Sequence, residues 1–264
     1  MLVSASTLSE YNFCPRAIYL RKSLGFGSEK TEKMQEGLMS HLVRKELSLR
    51  QAKIIRRVKD VEEIGLLLNR ELAQIIKEIP TIYKERLEGM DANKLLAKIE
   101  GDIKNELQFQ EEHLAVMVDE LGLKETLTYI TPWKVEYPLR SEILGLSGRI
   151  DKIYRNESES YPVEIKTGTA PKEYTWEGDR IQVGAYALLL EEKLAQTIRY
   201  AKVEYTQSME QRPVNITEKL RRLVFETRDN VTYILEEKII PEICVHGQGK
   251  KCHNCGYKEK CYSM

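Results

Sequence analysis

The sequence predicts a mixed α/β fold: a central sheet flanked by helices, with a long helical insertion ahead of it. Three observations lead there. Apolar residues between positions 32 and 121 recur every three to four residues, the period of a helix face. Between 131 and 217, short stretches rich in β-branched and aromatic residues alternate with polar ones, the period of a strand. The segments follow one another as helices, three strands, a helix, two strands and a helix, an order that fits neither an all-α nor an all-β chain. With 264 residues, 42% of them hydrophobic, the chain can build a substantial core.

Residues 6–22 open with small polar side chains and carry Leu8, Phe13, Ile18 and Leu20, which predicts a short helix; Gly25 and Gly27 mark a loop after it. Residues 32–79 read as one helix, with Val61, Ile64, Leu68, Leu72, Ile75 and Ile79 on a single face and Pro80 as its end. Residues 91–121 repeat the pattern through Ile99, Ile103, Leu107, Leu114 and Leu121, with Gly122 as the stop, so the two make a long helical hairpin. WKVEYPL (133–139), SGRIDKIYR (147–155) and YPVEIKTG (161–168) predict three strands, and the polar stretch 156–160 suits a hairpin connection. Residues 178–195 return to helix through Ile181, Ala185, Leu188 and Leu189. Two more strands are expected at 199–206 and 212–217, then a helix over 217–239 stopped by Pro241. The tail from 242 is cysteine-rich and irregular.

Charge is balanced overall, with 41 basic and 41 acidic side chains, but unevenly spread. Residues 1–60 carry 12 basic and 6 acidic groups, whereas 61–130 carry 8 and 15. A whole-protein field therefore cannot draw in nucleic acid, although a local basic surface from the first segment can. No run of 18 apolar residues exists, so no membrane span is expected. The start, MLVSASTLSEYNFCPR, has no basic stretch followed by an apolar one, so no secretion signal is expected and the location read is cytoplasmic. Five cysteines are too few for a disulfide scaffold.

The strongest local feature is Asp151, then twelve residues, then Glu164-Ile165-Lys166. If the two strands pair as a hairpin, Asp151 and Glu164 become neighbours, and Lys166 shares a face with Glu164. Two carboxylates and an ammonium then converge. Mg²⁺ or Mn²⁺ takes oxygen ligands of this kind, and a metal there would acidify water beside a phosphoryl group. A cross-strand salt bridge on a solvated sheet face is the alternative. Gln182 and Tyr186, at i and i+4 on the next helix, add polar groups able to contact a phosphate backbone or position the lysine. His41 stands at a helix start after Gly37, where surface or core is the ordinary place for a histidine.

Cys252, Cys255 and Cys261 form a C-x₂-C-x₅-C pattern that points to metal. Three thiolates need a fourth ligand: Cys14 is the distant candidate, Cys244 and His246 the local ones. Such a cluster binds Zn²⁺ or an iron–sulfur centre, and on spacing alone zinc is the commoner outcome.

Together these motifs resemble the RecB-like branch of the PD-(D/E)XK nuclease superfamily, and within it the CRISPR-associated Cas-four exonucleases. The resemblance runs from Tyr11-Asn12-Phe13-Cys14-Pro15-Arg16 through Gly37…His41, Gly148-Arg149-Ile150-Asp151, Val163-Glu164-Ile165-Lys166-Thr167-Gly168 and Gln182…Tyr186 to the closing cysteines. It implies metal ligation by His41, Asp151, Glu164 and the Ile165 carbonyl, with Lys166 as the catalytic lysine and Gln182 and Tyr186 as the motif after it. It also implies an iron–sulfur cluster on Cys14, Cys252, Cys255 and Cys261, [4Fe–4S] in preference to [2Fe–2S], stapling the chain ends together. Arg16, Gln182 and Tyr186 are the expected DNA contacts.

The stretch between His41 and Asp151 is longer than in a compact member and reads as a lid, a partner surface or an arch. Cys244 has no place in the four-ligand pattern. The expected organisation is one nuclease domain over 1–264: an N-terminal helix (1–30), a helical arch (32–128), a catalytic core (131–217) and a C-terminal helix with the cluster tail (217–264).

The expected activity is metal-dependent exonucleolytic hydrolysis of single-stranded DNA or DNA ends, in the 5′→3′ direction that the family suggests. CRISPR spacer acquisition or end processing is the setting, with integrase subunits as partners. A DNA-end-binding adaptor of an integrase complex and a zinc-binding nucleic-acid module are the alternatives.

Overall fold

The computed structural model describes the chain apart from residues 29, 30, 56, 61, 156–158, 244–251, 253 and 254 and the side chains at 51, 52 and 55. A two-residue strand β1 (Val3–Ser4) leads into helices α1 (Ala5–Phe13) and α2 (Pro15–Ile18) and a π-helical turn over Tyr19–Ser23. The helical insertion follows as α3 (Glu32–Ile55), α4 (Glu62–Ile82), α5 (Ala92–Leu121) and α6 (Leu123–Ile130). The sheet is then completed by β2 (Lys134–Ser141), β3 (Leu146–Arg155) and β4 (Ser160–Lys166), helix α7 (Glu177–Leu194), and β5 (Tyr200–Tyr205) with β6 (Glu210–Asn215). Helix α8 (Glu218–Glu236) and the short α9 (Lys258–Tyr262) close the chain. This is the mixed sheet flanked by helices that the sequence predicts.

The six strands run in the order β1-β3-β4-β5-β6, with β2 on the other edge of β3. β2, β3 and β4 form an antiparallel meander, β4 and β5 are parallel, and β5 and β6 are antiparallel. Helix α7 is the parallel crossover between β4 and β5. It is buried on nearly every side, between the sheet and helices α1 and α8. That explains its near-continuous apolar run, Ala185 to Leu190 broken only by Tyr186. Gly148 of β3 is fixed by this packing: a Cβ there would sit 2.7 Å from the Tyr186 ring.

A second apolar cluster lies inside the insertion. Met39, Leu42 and Val43 of α3 pack against Ile64, Leu68, Leu72, Ile75 and Ile79 of α4 and Leu95, Ile99, Ile103 and Leu107 of α5. Asp91 caps α5 by accepting from Lys94 N at 3.0 Å, and Gly122, at φ +84°, ends it.

Several expectations change. The helix read over 32–79 is two helices, broken between Ile55 and Glu62, so the expected two-helix hairpin is a three-helix packing of α3, α4 and α5, with α6 appended. Pro80 does not end α4. The helix continues to Ile82, and Tyr83 N still reaches Ile79 O at 3.0 Å. A proline removes its own N–H but leaves the next donors intact, and it lies near the end of the helix. His41 lies well inside α3, not at its start. Leu121 of the expected stripe is exposed. β1 and α6 escape the sequence reading, one being two residues long and the other a short segment after a glycine stop. Val61, Cys244, His246 and residues 156–158 lie outside the described residues.

Candidate active site

The site forms where β3 and β4 part. Their ladder ends at the Lys152–Val163 pair. One step further the register sets Asp151 opposite Glu164, but the Asp151 carboxylate takes over the ladder: its Oδ2 accepts from Ile165 N at 2.7 Å. A strand residue presents its N–H and C=O to the same edge, so the Ile165 carbonyl also faces this fork.

Helix α7 closes one side. Gln182 is buried and bridges two of the predicted residues: its Nε2 donates to Glu164 Oε1 at 2.8 Å, and its Oε1 accepts from Lys166 Nζ at 2.7 Å. Its Nε2 also lies 3.0 Å from the Tyr186 hydroxyl. Lys166 Nζ stands 3.2 Å from Glu164 Oε1 and 3.3 Å from Asp179 Oδ1. Asp179 is in turn held by the Tyr205 hydroxyl, which donates to Oδ2 at 2.8 Å. Gln182 and Tyr186 are each 3% exposed.

Helix α3 passes on the insertion side. Among the described residues, His41, Glu136 and Asp151 each offer one ligand atom within 4.8 Å of the others. His41 Nε2 is 3.5 Å from Glu136 Oε1, with Lys45 Nζ and Arg149 Nη1 each 3.8 Å from Oε2. On the opposite sheet face, Lys152 and Glu204 pair at 2.8 Å beside the Arg44–Glu106 pair, also 2.8 Å, where the insertion lies against the sheet. A cavity of about 650 Å³ starts at Thr167 and Gly168, just past Lys166, and runs between α3 and α5; Lys33, Ser40, Arg44 and Gln207 line it.

Burial sets the electrostatics. It pushes the Asp151 carboxyl up to about 6, against the Ile165 N–H, which pulls it down. Burial and the neighbouring Asp151 push Glu164 up to about 8, with Lys166 opposing. Burial alone would lower Lys166, but Glu164 and Asp179 outweigh it and hold it above its usual range. For Glu136 burial works upward, yet His41, Lys45 and Arg149 prevail and hold it low. One oxygen of Glu164, Oε2, is buried with no hydrogen-bond partner. A histidine nitrogen, several carboxylate oxygens and an orphaned buried oxygen fit a divalent cation.

Two residues here escape the sequence reading. Glu136 interrupts an otherwise strand-like WKVEYPL, and the β2–β3 register sets it opposite Asp151; the register of that hairpin is the missing information. Asp179 precedes Gln182 by one helical turn, a spacing that places both on one face of α7.

The four predicted cysteines divide between the two chain ends, and all are half-buried. The ends do meet. Arg16 Nη1 donates to Pro241 O at 2.8 Å and Nη2 to Cys261 O at 3.2 Å, while Lys260 Nζ reaches Gly27 O at 3.2 Å. Arg16 is only 7% exposed, with its guanidinium turned to the tail.

Comparison with known proteins agrees with this geometry. Two curated relatives are each named a CRISPR-associated exonuclease Cas4/endonuclease Cas1 fusion. The one from Leptospira interrogans serogroup Icterohaemorrhagiae serovar Lai is 32% identical over 127 residues, 46% of this chain and 23% of the relative. The one from Myxococcus xanthus is 40% identical over 80 residues, 28% of this chain and 14% of the relative. The matched stretches thus span less than a quarter of either relative. Residues 2–262 match the PD-(D/E)XK nuclease superfamily as a whole. With that match over nearly its full length, and with the carboxylates and lysine gathered at the strand fork, the chain belongs to the PD-(D/E)XK nuclease superfamily.

Proposed function

We propose that this chain is a metal-dependent DNA exonuclease acting on single strands or ends in the 5′→3′ direction, in CRISPR spacer acquisition or related end processing. The observation that carries the reading is the convergence of Asp151, Glu164 and Lys166 at the fork, with Glu164 Oε2 lacking a partner. His41, Asp151, Glu164 and the Ile165 carbonyl would hold Mg²⁺ or Mn²⁺. When bound, the ion supplies an acidified water and offsets charge on the phosphoryl group. Lys166, fixed by Gln182 and Asp179, orients the attacking water and meets the negative charge that develops on phosphate oxygens. Gln182 keeps Glu164 and Lys166 at a set spacing, and Tyr186 packs behind it.

The cavity between α3 and α5 begins at Thr167 and Gly168, the two residues after Lys166, and its lining mixes Lys33 and Arg44 with Glu32, Glu36 and Asp102, so a strand led through it would run past the chain that carries the lysine. Exposed Tyr174 and Trp176, on the loop just after it, offer faces for base stacking without sequence preference. That both relatives are fused to an endonuclease named Cas1 supports an integrase-like partner for this chain. Arg16, two residues after Cys14, donates to the Cys261 carbonyl and so joins the two chain segments that carry the cysteines, which supports an iron–sulfur cluster on Cys14, Cys252, Cys255 and Cys261.

The test is degradation of end-labelled single-stranded DNA. Cleavage should require Mn²⁺ or Mg²⁺, stop with chelator, release label first from a 5′ end, and vanish in Asp151→Ala while DNA binding persists. Wild-type turnover in Asp151→Ala would remove the fork from the chemistry.

A further inference from the structure

Glu136 occupies a position that sheet formation alone does not explain. It stands in β2 between the Val135–Lys152 and Tyr137–Ile150 pairs, at the register position of Asp151. Its φ of +52° is left-handed, a conformation that a non-glycine residue holds inside a strand only under strain. Strained backbone of this kind gathers at functional sites, where the surrounding structure holds it. With Glu164 one step beyond the β3–β4 ladder, the register lines up three carboxylates, Glu136, Asp151 and Glu164, across three adjacent strands. Like charges opposite one another destabilise a sheet.

The groups around Glu136 keep it ionised without closing on it. His41, Lys45 and Arg149 surround the Glu136 carboxylate at 3.5, 3.8 and 3.8 Å, all longer than the roughly 2.7–2.9 Å of a closed ionic hydrogen bond. Yet the His41, Glu136 and Asp151 ligand atoms lie within 4.8 Å of one another. That is little more than the ~4.2 Å between opposite ligands of an ion bound at ~2.1 Å. Independently, Glu164 Oε2 is buried without a partner in the same fork.

We propose that Glu136 is a further metal ligand of this site, joining His41, Asp151, Glu164 and the Ile165 carbonyl around one divalent ion. This rests on the reading of the fork as a metal-dependent nuclease centre. The ligand set, an imidazole with carboxylates, favours Mn²⁺ over Mg²⁺, which prefers oxygen and retains its water.

The experiment uses the full chain, stripped of divalent metal and titrated with Mn²⁺ followed by EPR, without DNA. Crystals soaked in Mn²⁺ are examined by anomalous scattering. Wild-type protein should bind, Asp151→Asn should lose binding, and Glu136→Gln should weaken it by at least ~10-fold. The anomalous peak should lie within about 2.2 Å of a Glu136 oxygen. A peak bonded to Asp151 and Glu164 with Glu136 outside coordination distance, or unchanged affinity in Glu136→Gln, overturns the role of Glu136 while leaving the nuclease reading intact. Absence of any peak or binding at Asp151 overturns both.

Discussion

Lys166 is the residue on which most contacts of the site converge: Glu164, Asp179 and the Gln182 amide oxygen all lie within 3.3 Å of its ammonium. A side chain held so firmly is suited to act at one point in space, so its removal should damage turnover and spare the metal. Lys166→Ala should lower kcat by about 10²–10³-fold, the scale for losing one oriented charge-stabilising donor, with Mn²⁺ affinity retained. Asp179→Asn should cost less kcat and leave KM unchanged, because Asp179 touches the lysine and not the fork; equal losses in both variants would place Asp179 in the chemistry itself. The carboxylates make a pH prediction for metal-free protein. Asp151 and Glu164, ordinarily near 3.8 and 4.5, rise to about 6 and about 8 in the fold. The folded state therefore keeps protons that the unfolded chain releases, and stability falls as pH rises through that interval. In EDTA, Tm should drop from about pH 4 to about pH 8, and Asp151→Asn should flatten the acid part of the slope. An unchanged slope in Asp151→Asn relative to the wild type would mean that the Asp151 carboxyl is not raised in the fold.

The insertion shows how an element remote in sequence serves the fork. His41 can face Asp151 only because α3 is held by α4 and α5, through the apolar cluster that includes Met39, Leu42 and Ile75. Arg50 reinforces the packing, reaching Glu71 at 2.9 Å and Glu78 at 2.7 Å. Ile75→Ala should destabilise this subassembly by roughly 2–5 kcal/mol, the range for a buried isoleucine truncated to alanine. Mn²⁺ affinity should fall with it although Ile75 touches no ligand; unchanged affinity would mean that His41 does not contribute to the metal site. Here the limits of reading sequence are plain. The stripe Ile64-Leu68-Leu72-Ile75-Ile79 was legible because a 3.6-residue period belongs to one helix alone. The break between Ile55 and Glu62 was not, since no glycine or proline marks it and both flanks keep helical character. The Asp151–Glu164 neighbourhood was legible because a short connection joins their strands. Glu136 was not, because its place opposite Asp151 depends on the register of a second hairpin, which is set by the turn geometry before Leu146.

At the scale of the whole molecule, the two chain ends are brought together across the fold. Cys14 and Cys261 are 247 positions apart, yet Arg16, two residues after the first, donates to the carbonyl of the second at 3.2 Å. The remaining guanidinium contact, to Pro241 at 2.8 Å, ties the same helix to the chain just after α8. These are two hydrogen bonds to a charged donor, worth on the order of 1.5–3 kcal/mol each, and Arg16 Nε is buried without a partner. Among the described residues, Lys260 Nζ to Gly27 O at 3.2 Å adds a further tie between the ends. An iron–sulfur cluster on Cys14, Cys252, Cys255 and Cys261 would bind the ends far more strongly, because ligand bonds act in the folded state and the closure restricts the unfolded chain. Protein purified without oxygen should therefore be brown and contain iron, and each of the four Cys→Ser variants should bleach it and lower Tm. Arg16→Ala should lower Tm with the colour retained if the cluster is the main fastening, since the thiolates would still be held. Because α1 packs on α7, which carries Gln182 and Asp179, bleaching should also reduce nuclease turnover while Mn²⁺ still binds at the fork. One zinc and no iron per chain in anaerobic protein would refute the cluster. Bleached protein with full stability and turnover would show instead that the Arg16 contacts suffice to hold the ends.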